Sequence, residues 1–273
     1  MMEQGESVSP ATLDWPKPGV ARIRLVRGER HNTLTGEAIA TLHRLVDECM
    51  ETRARVLVIT GSGQSFCGGA HVKYFTDPDA PLHRNPRAIR DDYVLPITRL
   101  LRRLQEAPFV TIAAINGFAL GGGCELAISC DLRIMSSTAR IGLPEVRLGA
   151  VAGASGVQDL SRLVGRARAL EIALLGERIS AAEALAAGLV SAVHEPEDLD
   201  EAAIRLAARF LDSSPAAIAE TKRAIYLCEA LPPQAADTAA LDAVFKAAAG
   251  GEWWEGMAAF VERRPPDFAT ERK

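Results

Sequence analysis

The alternation of apolar and polar positions in Val20-Ala21-Arg22-Ile23-Arg24-Leu25 predicts a half-exposed strand. Gly28-Glu29-Arg30-His31-Asn32 breaks it, and Thr35 has the type and position of an N-cap. The helix that follows runs to about Glu51, with Ile39, Leu42, Leu45, Val46 and Met50 on one face. Val56-Leu57-Val58-Ile59-Thr60 is continuously apolar up to its last residue, as a strand covered on both faces would be. Residues 76–90 are rich in Pro, Asp and Arg and predict a surface loop, which gives way to a helix from about Asp91 to Gln105. Phe109–Ile115 reads as the next buried strand, and Asp131–Met135 as another. A small-residue loop from Gly149 to Gly156 enters a helix, and from Arg166 the pattern is helical nearly to the end. Within that stretch Ser180-Ala181-Ala182-Glu183 forms a capping box, and Gly188 stops the helix it opens. Ser213-Ser214-Pro215 starts a further helix, and helices near 234–249 and 252–263 close the chain. Residues 1–12 read as a frayed terminus. Strand, helix and strand in succession predict an α/β spiral or layered fold.

The stretch most suggestive of chemistry is Ile115–Asp131. An apolar strand stops at the turn pair Asn116-Gly117, and three glycines, Gly121, Gly122 and Gly123, precede a helix-like run that contains Glu125. A helix start offers unpaired N–H groups and a partial positive charge, which suits an oxygen that gains negative charge during reaction. Glycines let a ligand approach such backbone closely. The same glycines would also serve a strand–helix junction that needs only close packing, and the residues alone leave both readings open. Gly61-Ser62-Gly63-Gln64-Ser65-Phe66 follows a buried strand but has Phe66 where a dinucleotide fingerprint needs its third glycine. Gly68-Gly69 beside Ala70 exposes another length of backbone. A second carboxylate, Glu145, follows Pro144.

Composition narrows the classes. The chain has 273 residues, 48% hydrophobic and 24% charged, as in an ordinary globular protein of one large domain, or one domain with a helical appendage. Lys and Arg number 31 against 35 Asp and Glu, a net charge of −4, which gives no reason to expect nucleic acid or an anionic membrane as partner. The five cysteines show no CxxC spacing, so reduced thiols in a cytosol-like compartment are expected. No apolar run reaches transmembrane length, and the first residues lack the pattern of a signal or transit peptide. The histidines at 31, 43, 71, 83 and 194 form no HExxH or clustered set, so no metal site is expected. Gly153-Ala154-Ser155-Gly156-Val157 lacks the last glycine of a GxSxG elbow.

Three stretches carry a family resemblance: GSGQSFCGGAHVKYF, INGFALGGGCELAISCDLRI and ARIGLPEVRLGAVAGASG. In order and spacing they resemble the enoyl-CoA hydratase/isomerase (crotonase) superfamily, and EGMAAFVERRPPDF resembles its closing helix. The resemblance spans about residues 15–268. It implies a crotonase-like ββα spiral over residues 13–195 holding the active site, and a C-terminal helical trimerisation region over 196–273. It also implies a homotrimer or dimer of trimers in the cytoplasm, with Trp253-Trp254 in trimer or core packing.

The implied reaction is addition of water to a 2-enoyl-CoA thioester, with coenzyme A carried by the substrate and no separate cofactor. The family's oxyanion-hole N–H groups fall on Ala70 and Gly122, and its paired glutamates on Glu125 and Glu145. By resemblance Glu125 handles the water and Glu145 the α-carbon. Otherwise Glu125 would cap its own helix and Glu145 would pair with an arginine such as Arg147. CoA contacts are implied at Arg30, Ala70, Val72, Lys73, Gly122 and Arg263, the last placed to reach a neighbouring subunit's site. His71 stands where the family has an aspartate, and Ala152, Ser155 and Asp159 interrupt its Pro-Gly-x-Gly-Gly-x-x-Arg run, so acyl preference is what these changes touch. Alternatives within the superfamily are a Δ3,Δ2-enoyl-CoA isomerase using chiefly Glu145, a hydrolase or another lyase. An alternative of another class is a noncatalytic RNA-associated protein, which would call for a basic stripe and a lost glutamate.

Overall fold

A computed structural model describes residues 9–268. Its first elements are a hairpin of β1 (Ala11–Lys17) and β2 (Val20–Leu25), followed by a 3₁₀ turn at Gly28–Arg30. The terminus expected to fray through residue 12 is therefore ordered from Ala11, which pairs with Leu25; residues 1–8 lie outside the described residues. Pro16 and Pro18 hide this strand from a periodicity reading, while Gly19 at φ +80° makes the turn. Helix α1 (Gly36–Glu51) starts as expected, with Thr35 Oγ1 accepting the Ala38 N–H at 3.1 Å.

Strand β3 (Val56–Gly61) is buried throughout, and β4 (Ser65–Cys67) follows it. A short turn, α2 (Lys73–Thr76), leads through residues 77–85 to α3 (Pro86–Ala88), a π-helical turn at Ile89–Val94 and α4 (Leu95–Glu106). The predicted loop over 76–90 thus ends sooner than expected. Asn85 caps the helical stretch by accepting the Ala88 N–H at 3.1 Å, and Pro86 occupies a first-turn position where it has no N–H to lose. Next come β5 (Val110–Ile115), β6 (Phe118–Leu120), α5 (Gly122–Ile128), β7 (Leu132–Ser136) and β8 (Arg140–Gly142). A 3₁₀ turn at Pro144–Leu148 precedes α6 (Gly156–Leu175), whose path is broken at Gly165 (φ 74°, ψ 158°).

Beyond α6 the expectation of helix nearly to the end is corrected by β9 (Ile179–Ser180) and β10 (Ala192–His194), which flank α7 (Ala181–Ala186). Two- and three-residue strands are too short to show alternation, and pairing with β8 and β7 is what makes them extended. The remaining helices are α8 (Leu199–Ala208), α9 (Pro215–Cys228), α10 (Pro233–Ala249) and α11 (Gly251–Glu262).

The strands form two sheets, ordered β1-β2-β3-β5-β7-β10 and β4-β6-β8-β9. Consecutive pairs β3/β4, β5/β6 and β7/β8 give one strand to each sheet before the chain enters a helical stretch, so the fold is the expected α/β spiral of ββα turns. One face of the larger sheet packs Ile23, Leu57, Ile59, Ala113 and Met135 into the main core with Leu42 of α1 and Leu101 of α4. Its other face, Val56, Val58, Ile112 and Ile134, is covered by Leu199, Ala202, Ala203 and Ala207 of α8. Burial of each of these larger side chains contributes about 1.5–3 kcal/mol. Arg133 is the one charged residue sunk in β7; it donates to the Leu189 and Cys130 carbonyls at 2.7 and 2.6 Å. The last two helices are different: Phe245, Trp254, Phe260 and Val261 stand exposed on α10 and α11, and Trp254 is no core residue.

Candidate active site

The spiral brings two loops together at the ends of β4 and β6. Gly69 adopts φ +84°, and a Cβ built on it would sit 3.0 Å from the Gly122 nitrogen, so only glycine lets these strands of backbone touch. Leu34 donates its N–H to the Gly69 carbonyl at 2.8 Å and is paired in parallel register with Ala70. In such a bridge the rungs go to the residues on either side of Ala70, which turns the Ala70 N–H away from Leu34. Gly122 is the first residue of α5, so its N–H is among those a helix leaves unpaired.

Both glutamates border this backbone. Glu125 is 4% exposed, and a Cβ on Gly122 would lie 4.0 Å from its Oε2. Its other oxygen, Oε1, accepts the N–H groups of Ala154, Ser155 and Gly156, each at 2.9 Å. These are the first residue of α6, its N-cap Ser155 and the residue before it, a donor cluster that favours an anion. The alternative in which Glu125 caps its own helix is not what the chain does. Burial raises the Glu125 carboxyl above the usual range, and the three N–H bonds offset only part of that rise.

Glu145 approaches from the 3₁₀ turn after β8, with Oε1 2.7 Å from where a Cβ on Gly121 would be. Its Oε2 is buried and has no hydrogen-bond partner in the protein. Burial raises its pKa from 4.5 to about 7, opposed by a hydrogen bond from its own backbone N–H and helped by the nearby Glu125. Arg147 does not pair with it: that guanidinium donates to the Leu175 carbonyl at 2.7 Å and lies 3.3 Å from Glu177.

A family model described as enoyl-CoA hydratase/isomerase matches residues 16–271. The chain belongs to the enoyl-CoA hydratase/isomerase family. It is 38% identical over 254 residues to the 2,3-dehydroadipyl-CoA hydratase of Escherichia coli, covering 91% of this chain and 94% of that one. With the short-chain-enoyl-CoA hydratase of Clostridium acetobutylicum it shares 35% identity over 257 residues, covering 90% and 92%. Among solved structures, an enoyl-CoA hydratase from Bacillus anthracis superposes with a TM-score of 0.88 at 33% identity, covering 95% of this chain and 98% of that one.

The remaining expected positions separate into two groups. Arg30 and Lys73 are exposed side chains on the two segments joined by the Leu34–Ala70 bridge, and Val72 beside them is 57% exposed. Arg263 is exposed at the end of α11, which packs chiefly on α10, so the chain does not gather it with the others by any shared element. His71 makes local contacts: its Nδ1 lies 3.2 Å from Thr33 Oγ1, and its ring meets Tyr74 edge-on at 4.8 Å.

The sequence reading missed the support beneath Glu125. The unusual Ser155 is buried, with its hydroxyl 3.2 Å from the Glu125 carbonyl and 3.1 Å from Ser129 Oγ. Asp159, where the family resemblance led us to expect arginine, is also buried and accepts Gln105 Nε2 at 2.8 Å. A buried Gln on the apolar face of α4 was the available signal. Among the described residues no group of three or more His, Cys, Asp or Glu could hold a metal ion, and no helix is long and apolar enough to cross a membrane.

Proposed function

We propose that this protein adds water reversibly across 2-enoyl-CoA thioesters. The observation that carries the reading is the pair of carboxylates bordering Gly121-Gly122, one tied to three N–H groups and the other with a buried, unpartnered oxygen. Ala70 and Gly122 N–H groups receive the thioester oxygen, and each such donor is worth roughly 2.7–4 kcal/mol when charge develops there. Anionic Glu125 takes a proton from water as its oxygen bonds to Cβ. The electron pair of the double bond moves through the enolate, and protonated Glu145 supplies Cα. The product has gained one water; Glu125 now holds a proton and Glu145 is anionic, and one proton returns from Glu125 to Glu145 through solvent before the next turnover.

No cofactor beyond substrate-borne CoA enters this scheme. Arg30, Val72, Lys73 and Arg263 are assigned to the CoA moiety, Arg263 from a neighbouring subunit. That assignment goes with assembly as a homotrimer or dimer of trimers, for which the exposed apolar residues of α10 and α11 provide surface, and with residence in the cytoplasm. The relatives named for hydration of CoA thioesters support the reaction class.

The test is incubation with crotonyl-CoA and with a longer 2-enoyl-CoA, following enoyl-thioester absorbance and product mass. Loss of absorbance with gain of one water is expected. A thioester that binds and stays unchanged would overturn hydration and direct attention to a 3-enoyl-CoA, the isomerase substrate.

A further inference from the structure

We infer that Tyr93 is a positioning residue for the oxyanion-hole peptide at Ala70, its hydroxyl standing as one rung of the bridge that aims the Ala70 N–H. The inference rests on the hydration site described above, and no part of the family resemblance pointed to this residue.

The geometry is specific. One rung of the Leu34–Ala70 bridge is direct, from the Leu34 N–H to the Gly69 carbonyl at 2.8 Å. In a parallel bridge the companion rung would run from the His71 N–H to the Leu34 carbonyl. Both of those atoms are met by Tyr93: its hydroxyl donates to the Leu34 carbonyl at 2.7 Å and accepts the His71 N–H at 3.3 Å. The hydroxyl is thus inserted into the bridge, and the peptide on the far side of Ala70 is held through it.

The ring is fixed in turn. Tyr93 is 4% exposed and meets Phe75 and Tyr74 edge-on, with centroids 5.5 and 6.0 Å apart at 83° and 87°. It lies on the π-helical turn at Ile89–Val94, between α3 and α4. Such turns carry an extra residue, reset the faces of the helix on either side and recur at functional sites. Here the turn places a buried tyrosine against both the Leu34 and the His71 backbone. A donor that must meet an oxygen only as it becomes negative is sensitive to aim, so a loosened Ala70 peptide costs turnover before it costs binding.

The test compares wild type with Tyr93→Phe, which keeps the ring and its edge contacts and removes only the hydroxyl. The expected result is a kcat for crotonyl-CoA hydration lowered about tenfold or more with KM within about twofold, since one donor is misaimed and not deleted. Cinnamoyl-CoA supplies a second readout. Its conjugated absorbance moves to longer wavelength when a donor polarises the carbonyl, and that shift is expected to shrink in the variant. Replacement of Tyr93 by 4-aminophenylalanine retains a donor for Leu34 and a weaker acceptor for His71, so it should give intermediate kcat and shift, even if the Phe variant fails to fold. A folded Tyr93→Phe enzyme with wild-type kcat and shift overturns the inference, as does a lowered kcat with an unchanged shift. If wild type binds cinnamoyl-CoA with a shift but hydrates nothing, the hydratase reading fails while the shift comparison still decides the role of Tyr93.

Discussion

Glu125 and Glu145 meet the same strip of backbone from two sides, and the chain treats them differently. Around Glu125 it builds a nest: three N–H groups from the start of α6 converge on one carboxylate oxygen at 2.9 Å. Around Glu145 it leaves a gap, with one oxygen buried and unpartnered at the start of a 3₁₀ turn. Donors to a carboxylate favour its anion and offset part of the rise that burial causes at Glu125, whereas at Glu145 burial prevails over a single backbone N–H and favours the neutral acid. Under the proposed hydration, these different surroundings suit two residues of one type to opposite tasks, one as base and one as acid.

Removing either member should have the largest effect. Glu125→Gln and Glu145→Gln are each expected to lower kcat for hydration by about 10²–10⁴-fold, leaving acyl-CoA binding within a few-fold. If the two act in one step, the double variant should be little worse than the poorer single variant. Steady-state kinetics on all three variants checks this. Losses that multiply, or turnover by Glu125→Gln comparable to wild type, would break the pairing of roles.

How far this contrast was legible in the sequence depends on the residue. Gly121-Gly122-Gly123 announced open backbone beside Glu125, and the structure puts Gly122 at the first position of α5. The buried strands Val56–Gly61 and Val110–Ile115 were equally plain, because an unbroken apolar run has few other places to go. The nest was not legible. Ala154, Ser155 and Gly156 contribute backbone N–H groups, which every residue but proline has, so their identities carry no trace of the role. Asp159 and Gln105 meet from positions far apart in the chain, a pairing that only the tertiary fold creates. Strands β9 and β10 were missed for a related reason: they are extended through their partners β8 and β7 and not through local pattern.

A smaller perturbation can disturb the Glu145 side while leaving the nest alone. Gly121 has φ +54°, and a Cβ there would fall 2.7 Å from Glu145 Oε1. Gly121→Ala should therefore push the carboxyl out of place and strain the backbone, at a stability cost of about 1–3 kcal/mol. We expect kcat to fall about tenfold with misplacement of the acid. Kinetics together with denaturant midpoints tests this; an alanine variant with wild-type kcat would show that the position of Glu145 is not critical.

The gentlest probe is pH, because it changes protons and leaves every atom of the chain in place. Glu145 is raised from 4.5 to about 7, so the folded protein retains a proton on it that the unfolded chain releases. Between those two values the native state binds more protons than the unfolded state, and the stability contributed by this group falls as pH rises. Below pH 4.5 the penalty is absent; above about 7 it is fully present, since the carboxylate is then charged in a buried site where Oε2 has no donor. Glu145→Gln should accordingly gain stability relative to wild type on going from pH 5 to pH 8, as measured by urea midpoints at each pH. The same ionisation predicts that wild-type kcat/KM for hydration declines above about pH 7, as the acid that protonates Cα is lost. A Glu125→Gln background removes the neighbouring charge that helps raise Glu145, so its remaining activity should decline at a lower pH than in wild type. An unmoved limb would mean that burial alone sets the acid, and that the nest around Glu125 and the gap around Glu145 work independently.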